Sequence, residues 1–276
     1  MNTKLKRIRH LALDLDGTLY LGEQLFEATR PFLERVDELR IGRTFFTNNS
    51  SRSTGQYVEK LNALGIDADE SDVFSSTHCT LSYLRQERPE IQRIFVLGTP
   101  ALRLEFAENG YASAGEEPGD EPDAVIVGFD TSLTYDRLCR AAWWIKQGKP
   151  FIATHPDLTC PTDMQTVLPD CGAICRMLAD ATGCKPEAVL GKPNPRMLRG
   201  VMERYDLRPE ELAVVGDRLY TDMTMAQSAG AVSVLVLTGE TTAQQAQAAT
   251  PPPDYVLADV GELARLMSLC REPIQC

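Results

Sequence analysis

The sequence has no long apolar stretch. No segment of its 276 residues approaches the roughly 20 consecutive apolar residues that a membrane-spanning helix needs. Near residue 1, basic residues are followed by only a short apolar run that aspartates interrupt, so a secretory signal sequence is not expected. These two absences predict a cytoplasmic protein without a membrane partner.

Paired cysteine motifs are also missing. The eight cysteines show no CxxC spacing, and the chain has only three histidines, so no cysteine and histidine metal site is expected. We interpret the cysteines as reduced, structural thiols, as is usual for a cytoplasmic protein. They are Cys79, Cys139, Cys160, Cys171, Cys175, Cys184, Cys270 and Cys276.

Basic residues are in deficit. The chain carries 28 Lys and Arg against 39 Asp and Glu, which gives a net charge of -11. Because this charge opposes non-specific attraction to DNA, RNA or anionic lipid, no nucleic-acid partner is expected. An acidic protein binds phosphate only where a metal ion, a lysine or backbone N–H groups make a site locally positive.

Short apolar runs alternate with helix-like stretches, and the chain has no internal repeat. This alternation predicts an α/β protein with a mostly parallel sheet and crossover helices. Seven strand regions are predicted, at 10–17, 43–50, 93–99, 123–130, 150–157, 211–218 and 232–239. Helices are predicted over 53–64, 77–88, 135–146, 172–182, 194–205 and 221–229.

Two carboxylates, Asp14 and Asp16, follow the first apolar run. Alternate residues of a strand point to the same side, unless a turn at Gly17 re-aims the second carboxylate. Asp-Gly is also a common turn signal, so one aspartate could simply end the strand. Ligands of parallel α/β sheets gather at the carboxyl ends of strands, which makes both aspartates candidate catalytic residues.

Hydroxyl and amide groups follow the next run, at Thr47, Asn48 and Asn49. They are suited to phosphate oxygens, and they also fit a helix N-cap; both roles are compatible because a helix N-terminus attracts anions. Lys192 lies between a glycine and a proline, where its ammonium could be aimed at one target. A lone lysine is more often a solvated surface charge.

Asp217 ends another apolar run, and Asp222 opens the helix predicted after it. Asp222 alone could be a favourable acid in the first turn of a helix. In combination, these polar groups, each placed after an apolar run, predict a Mg²⁺ site with a nucleophile, an acid and phosphate-binding donors.

The same motifs resemble those of the haloacid dehalogenase-like phosphatases over nearly the whole chain. The segments TNNSSRS, GFDTSLTY, FIATHPD, LGKPNPRM and GDRLYTDMTMA are similar to the subgroup of NagD and the 4-nitrophenylphosphatases, which is related to the phosphoglycolate and pyridoxal phosphatases. The resemblance implies a Rossmann-like, doubly wound parallel-sheet core at 1–81 and 186–276, with a large α/β cap inserted at 82–185. A homodimer through the cap is expected by resemblance alone.

The resemblance implies a mechanism in two displacements. Asp14 attacks phosphorus and forms an aspartyl-phosphate, while Asp16 protonates the leaving group and then activates water. Mg²⁺ is the expected cofactor, held by the carboxylates of Asp14 and Asp217 and the backbone carbonyl of Asp16, with Asp222 on a metal-bound water. The remaining phosphate oxygens are assigned to Thr47, Asn48, Asn49 and Lys192.

Specificity is assigned to a loop of the predicted cap that carries His155, Asp157, Thr159 and Cys160. His155 stands where relatives often have Asn or Asp, and Cys160 where some have His. The loop is expected to close over the substrate, and the alternative is a rigid structural turn. The expected substrates are small phosphorylated metabolites such as sugar phosphates, nucleotide monophosphates, phosphoglycolate or 4-nitrophenyl phosphate.

Two other functions remain compatible with these residues. A phosphotransferase or phosphomutase would use the same aspartyl-phosphate and deliver it to a sugar hydroxyl. A non-catalytic receiver-like module would also present clustered aspartates and a lysine on an α/β sheet, but it would need neither Asp16 beside the nucleophile nor a large insertion.

Overall fold

The computed structural model describes residues 4–115, 117 and 119–271. The cysteines within this part of the chain are free thiols, and Cys276 lies outside it. None of the helices in the described residues is both long and apolar enough to span a membrane.

Fifteen short strands occur in the described residues: β1 His10–Asp14, β2 Tyr20–Leu21, β3 Gln24–Leu25, β4 Gly42–Thr47, β5 Val73–Ser75, β6 Arg93–Leu97, β7 Ala112–Ser113, β8 Ala124–Val127, β9 Phe151–Ala153, β10 Thr159–Cys160, β11 Leu168–Pro169, β12 Ala188–Val189, β13 Leu212–Gly216, β14 Val232–Val236 and β15 Tyr255–Leu257. The α-helices are α1 Thr29–Glu38, α2 Thr54–Ala63, α3 Ser76–Glu87, α4 Pro100–Glu108, α5 Tyr135–Lys146, α6 Cys171–Thr182, α7 Arg196–Tyr205, α8 Thr224–Ala229, α9 Ala243–Ala248 and α10 Val260–Arg271. Short 3₁₀ helices lie at Leu5–Arg7, Glu70–Asp72 and Pro209–Glu211, and a π-helical segment at Leu219–Met223 precedes α8.

The larger sheet has six strands in the order β15-β14-β13-β1-β4-β5. Strand β1 pairs in parallel with both β13 and β4. All five of its residues are buried, as expected for the central strand of a parallel sheet that is covered on both faces. Its carboxyl end carries Asp14, and the neighbouring β13 ends one residue before Asp217. The order of the strands therefore brings these two aspartates to the same edge of the sheet.

A second parallel sheet has five strands in the order β12-β9-β8-β6-β7. Helices α5 and α6 contribute Trp144, Ile174 and Leu178 to a buried apolar cluster with strand residues such as Phe95 and Val125. Strands β10 and β11 form a separate antiparallel pair. The predicted α/β class with parallel sheets is confirmed.

The chain divides into two compact units. Unit 1 comprises the described residues up to Phe46, the segment Leu61–Val73, and the described residues from Pro193 onward. Unit 2 comprises Thr47–Lys60 and Phe74–Lys192. The predicted bounds of a core at 1–81 and 186–276 and a cap at 82–185 stay a prediction.

His10 begins β1 as a buried, uncharged histidine. Its side chain is 2% exposed, its Nε2 lies 2.8 Å from Thr44 Oγ1, and its ring centroid lies 4.4 Å from that of Tyr205. Burial, together with the nearby positive charge of Arg204, lowers the pKa of His10 from 6.5 to about 4.

We expect this histidine to make the stability of the fold sensitive to acid. Between about pH 6.5 and about pH 4, His10 is protonated in the unfolded chain but stays neutral in the folded protein. The free energy of unfolding should therefore fall by about 2 kcal/mol between about pH 7 and about pH 5 from this group alone. His10→Gln keeps a hydrogen-bonding side chain but does not titrate. Urea unfolding of both proteins at the two pH values checks this, and an identical pH dependence in the two would contradict it.

Candidate active site

Three carboxylates meet in unit 1. Asp14, Asp217 and Asp222 each offer an oxygen, and these oxygens lie within 4.8 Å of one another. Asp14 comes from the end of β1, Asp217 follows β13, and Asp222 lies in the π-helical segment. Asp217 and Asp222 are each 1% exposed and Asp14 is 8% exposed. The structure thus brings together three of the predicted metal-binding residues.

Glycines make room for this cluster. A Cβ on Gly17, whose φ is +89°, would lie 2.6 Å from Asp217 Oδ2, and one on Gly239 would lie 2.0 Å from the same atom. A Cβ on Gly216 would lie 2.3 Å from Asp222 Cγ. Since real Cβ atoms do not approach so closely, any side chain at these positions would displace the carboxylates.

Local donors fix two of the carboxylates. Thr18 Oγ1 donates to Asp14 Oδ2 at 3.1 Å. Asp222 Oδ2 accepts from the Arg218 N–H at 3.3 Å and from Thr221 Oγ1 at 3.2 Å. These bonds restrict how the side chains of Asp14 and Asp222 rotate, which orients them before any ligand binds.

Only one of the two carboxylate oxygens of Asp217 accepts a hydrogen bond from the described residues. Its Oδ2 accepts from the Glu240 N–H at 2.7 Å, whereas its Oδ1 is buried and has no hydrogen-bond partner among the described residues. Burial first, and then the charges of Asp14 and Asp222, raise the pKa of Asp217 to about 8.

The carboxylates of Asp14, Asp217 and Asp222 fit a hard divalent cation. Three carboxylate oxygens converge, and a buried oxygen of one of them lacks a donor. Oxygen ligands of this kind suit Mg²⁺, and a cation would relieve the repulsion that raises the pKa of Asp217.

Asp16 is not one of the three carboxylates whose oxygens cluster. It forms an isolated bridge with Tyr20, and the Gly17 N–H donates to the Tyr20 carbonyl at 2.8 Å, so the chain turns directly after β1. Its side chain is partly exposed. Strand β1 thus ends at Asp14, and Asp16 lies in the turn that follows it. Its roles as acid and as a carbonyl ligand stay predictions.

In unit 2, Asn48 holds the backbone of Lys192. Its Oδ1 accepts from the Lys192 N–H at 2.6 Å, and its Nδ2 donates to the Lys192 carbonyl at 3.0 Å. Nδ2 also lies 3.1 and 3.2 Å from the two carboxylate oxygens of Asp157. Gly191 has a φ of +65°, and a Cβ there would lie 2.6 Å from Asn48 Oδ1. The amide of Asn48, predicted to bind phosphate, is thus already bonded within the protein.

Thr47 and Asn49 shape the loop that follows β4. Thr47 Oγ1 accepts from the Asn49 N–H at 3.1 Å. Asn49 Oδ1 accepts from the N–H and the Oγ of Ser51, at 2.9 and 2.6 Å, and its Nδ2 lies 3.5 Å from Cys160 Sγ. The predicted phosphate contacts of Thr47, Asn48, Asn49 and Lys192 stay predictions.

His155 and Asp157 are buried rather than displayed on the predicted specificity loop. His155 is fully buried, with Nδ1 3.7 Å from Asp157 Oδ2 and Nε2 3.5 Å from Asp170 Oδ1. Thr159 is exposed and Cys160 partly exposed, and both belong to β10. Asp170, the second carboxylate beside His155, was not predicted from the sequence. Its position directly before α6, where it caps the helix, was the signal that could have drawn attention to it.

We expect Asn48→Asp to destabilise the fold. The substitution preserves shape but replaces a donor by a charged acceptor beside the Asp157 carboxylate and the Lys192 carbonyl, both of which then lose their hydrogen bonds. The loss in free energy of unfolding should be on the order of 3 kcal/mol. Asn49→Asp is the matched control, because the bonds that its Oδ1 accepts survive the change. Urea unfolding of both variants checks this, and equal losses would contradict the positioning role of Asn48.

Comparison with known proteins identifies the family. A family model of haloacid dehalogenase-like hydrolases matches residues 11–112, and a second model of hydrolases of the same type matches residues 189–263. The acid sugar phosphatase of Staphylococcus aureus is 31% identical over 258 residues, which cover 94% of this chain and 97% of that protein. The chain belongs to the haloacid dehalogenase-like hydrolases.

Solved structures agree with this assignment. A 4-nitrophenylphosphatase from Thermotoga maritima is 41% identical, with a TM-score of 0.88 over 95% of this chain and 98% of that one. A glycerol phosphate phosphatase from Mycobacterium tuberculosis, in complex with magnesium, is 33% identical, with a TM-score of 0.85 over 96% of this chain and 77% of that one. The predicted subgroup, the Rossmann-like fold class and the enzyme class of phosphoric monoester hydrolase are confirmed.

Proposed function

We propose that this haloacid dehalogenase-like hydrolase is a Mg²⁺-dependent phosphatase that acts on small phosphorylated metabolites through an aspartyl-phosphate. The cluster of Asp14, Asp217 and Asp222, with its unpartnered buried oxygen, supports this proposal most directly. The magnesium complex of the mycobacterial phosphatase supports the choice of metal.

Asp14 is proposed as the nucleophile. Its hydrogen bond from Thr18 fixes the carboxylate at the end of a buried strand, so that one oxygen can attack phosphorus. Mg²⁺, held by the carboxylates of Asp14 and Asp217 and by the Asp16 carbonyl, with Asp222 acting through a bound water, would neutralise the carboxylates and draw charge from the phosphoryl group. Asp16 gives a proton to the leaving oxygen and later takes one from the attacking water.

Thr47, Asn49 and Lys192 are proposed to bind the phosphoryl group. Lys192 supplies a positive charge to the phosphoryl group in a chain whose net charge is -11. Asn48 acts through Lys192, because its amide holds both the N–H and the carbonyl of that residue. Asn48 is thus a positioning residue in this proposal.

A panel of phosphomonoesters tests the proposed reaction. The relatives include an acid sugar phosphatase, a 4-nitrophenylphosphatase and a glycerol phosphate phosphatase. The panel therefore includes sugar phosphates, 4-nitrophenyl phosphate, glycerol phosphate, nucleotide monophosphates and phosphoglycolate. We expect free phosphate with Mg²⁺, none with a chelator, and recovery when Mg²⁺ is restored. A phosphotransferase would instead accumulate a transferred product, and a receiver-like module would release no phosphate from any compound.

Thr159 and Cys160 are proposed to contribute to substrate selection, because they are the accessible residues among the four predicted selectors. In Thr159→Ala and Cys160→His, relative kcat/KM values for the metabolites should change, while 4-nitrophenyl phosphate is nearly unaffected. The same panel measures this. If kcat/KM changed by the same factor for every substrate, the loop would have a structural role and no part in substrate selection.

The predicted homodimer through residues 82–185 is also a proposal. Light scattering during size-exclusion chromatography tests it directly. We expect the mass of two chains, and the mass of one chain would contradict the proposal.

A further inference from the structure

A cavity of about 390 Å³ opens in unit 1 at the amino ends of β1 and β4. His10, the first residue of β1, and Gly42, the first of β4, line it. Asp14 lies at the other end of β1, about 13 Å away over four strand residues. Because ligands of parallel α/β sheets gather at the carboxyl ends of strands, this cavity is distinct from the active site.

Positive charge is concentrated around this cavity. Five of its ten lining residues are basic, whereas 28 of the 276 residues of the chain are Lys or Arg. The five are Lys6, Arg7, Arg9, Arg40 and Arg271. No aspartate or glutamate is among the described residues that line it. On a chain of net charge -11, such a concentration favours an anionic ligand at this one place.

Much of this charge is uncompensated by the protein. Lys6, Arg7 and Arg40 form no ion pair with any residue in the described part of the chain. Arg9 lies 3.6 Å from Glu211 Oε2 and also donates to a backbone carbonyl. Arg271 donates to the Ile8 carbonyl, and its buried Nε lacks a hydrogen-bond partner among the described residues. The cavity therefore offers guanidinium and ammonium donors to a ligand.

Arg40 also adopts an unfavourable backbone conformation. Its φ of +53° lies in the left-handed region, which costs a residue with a side chain about 1 kcal/mol relative to the right-handed conformation. A glycine or asparagine would accept this conformation more readily. This conformation ends helix α1, because the Ile41 N–H donates to the Val36 carbonyl at 3.1 Å across it, and it places the Arg40 side chain among the residues that line the cavity.

The rest of the wall is apolar or aromatic. Ile8, Leu207 and Tyr205 line the cavity, and Tyr205 packs against the ring of His10. A volume of this size falls within the range of small-molecule sites. We propose that the cavity binds a small molecule with two or more phosphate groups, whose oxygens pair with the arginines.

Calorimetric titration with ATP and with inorganic tripolyphosphate tests this proposal. Both titrations are made with a chelator present, since the metal-free carboxylates of the active site then repel anions. The result does not depend on phosphatase activity, so failure here leaves the proposed reaction intact. If ATP binds more tightly than tripolyphosphate, the site recognises nucleotides. If the two bind equally, the site recognises the phosphate chain alone.

The variant pair Arg7→Gln with Arg40→Asn removes two cations and keeps a residue that tolerates positive φ at position 40. The matched control is Arg176→Gln with Arg199→Gln, which removes two exposed helical arginines elsewhere. We expect at least about tenfold weaker binding in the cavity variant and a change of less than about twofold in the control. Unchanged Mg²⁺-dependent activity would show that the cavity variant is folded. No binding to the parent protein, or equal weakening in both variants, overturns the proposal.

Discussion

Asp14→Asn should abolish phosphate release, with a fall in kcat on the order of 10⁴-fold or more. An amide has the shape of the carboxylate and can still accept the hydrogen bond from Thr18, but it cannot attack phosphorus. The fold should not suffer, because the substitution replaces one of three crowded carboxylates by a neutral amide. Without metal, the free energy of unfolding should stay equal or rise. Lost activity in a protein of undiminished stability is the expected signature.

Asp16→Asn provides the comparison that identifies the nucleophile. With 4-nitrophenyl phosphate, whose leaving group needs little help from an acid, the first step should survive in this variant and the hydrolysis of the intermediate should slow. Phosphoenzyme should then accumulate in Asp16→Asn and be absent in Asp14→Asn. Rapid-quench trapping of labelled phosphate measures both. Appreciable turnover by Asp14→Asn would rule out the covalent scheme.

Seven of the fifteen strands in the described residues, β1 and β13 among them, and the three carboxylates of the site could be predicted because their signals are local. Each apolar run of a parallel sheet ends at the same edge, so the residues after β1 and β13 had to lie close together. Helix α5 was predicted at its observed bounds, because a threonine cap precedes it and Lys146 ends it. The helix predicted at 221–229 instead begins as a π-helical segment at Leu219–Met223, which carries Asp222.

Four helices were missed: α1, α4, α9 and α10. Helix α1 contains Pro31, and α4 begins with Pro100, so both resemble interrupted segments even though proline is tolerated in a first turn. Helix α9 is only six residues long. Packing against the rest of the fold, which a single sequence does not display, stabilises such helices.

The role of Asn48 could not be read from its own motif. Its partners Asp157 and Lys192 lie 109 and 144 residues away in the chain, and asparagine side chains serve phosphate and backbone equally well. The role of Gly239, whose lack of a side chain makes room for Asp217, could not be predicted from its neighbours in the sequence either. Contacts between distant segments are the part of the site that composition and spacing do not reveal.

Asp217→Asn should raise the Mg²⁺ concentration needed for half-maximal activity by on the order of 100-fold. The amide oxygen can keep the hydrogen bond from Glu240, so the local fold survives. What disappears is a buried charge whose Oδ1 has no donor in the described residues. A neutral amide that presents an N–H₂ group toward a cation is a poor ligand.

The same substitution should have opposite effects on stability with and without metal. The pKa of Asp217 is raised from 3.8 to about 8, so the metal-free parent loses stability as the pH rises between these values, and the asparagine variant does not. At about pH 8 with a chelator, the variant should be the more stable protein; with saturating Mg²⁺, the parent should be, because binding stabilises only the folded state. Thermal unfolding of both proteins under both conditions measures this crossing. A variant that is less stable under both conditions, or that needs no more Mg²⁺ than the parent, would show that Asp217 supports the fold rather than the metal.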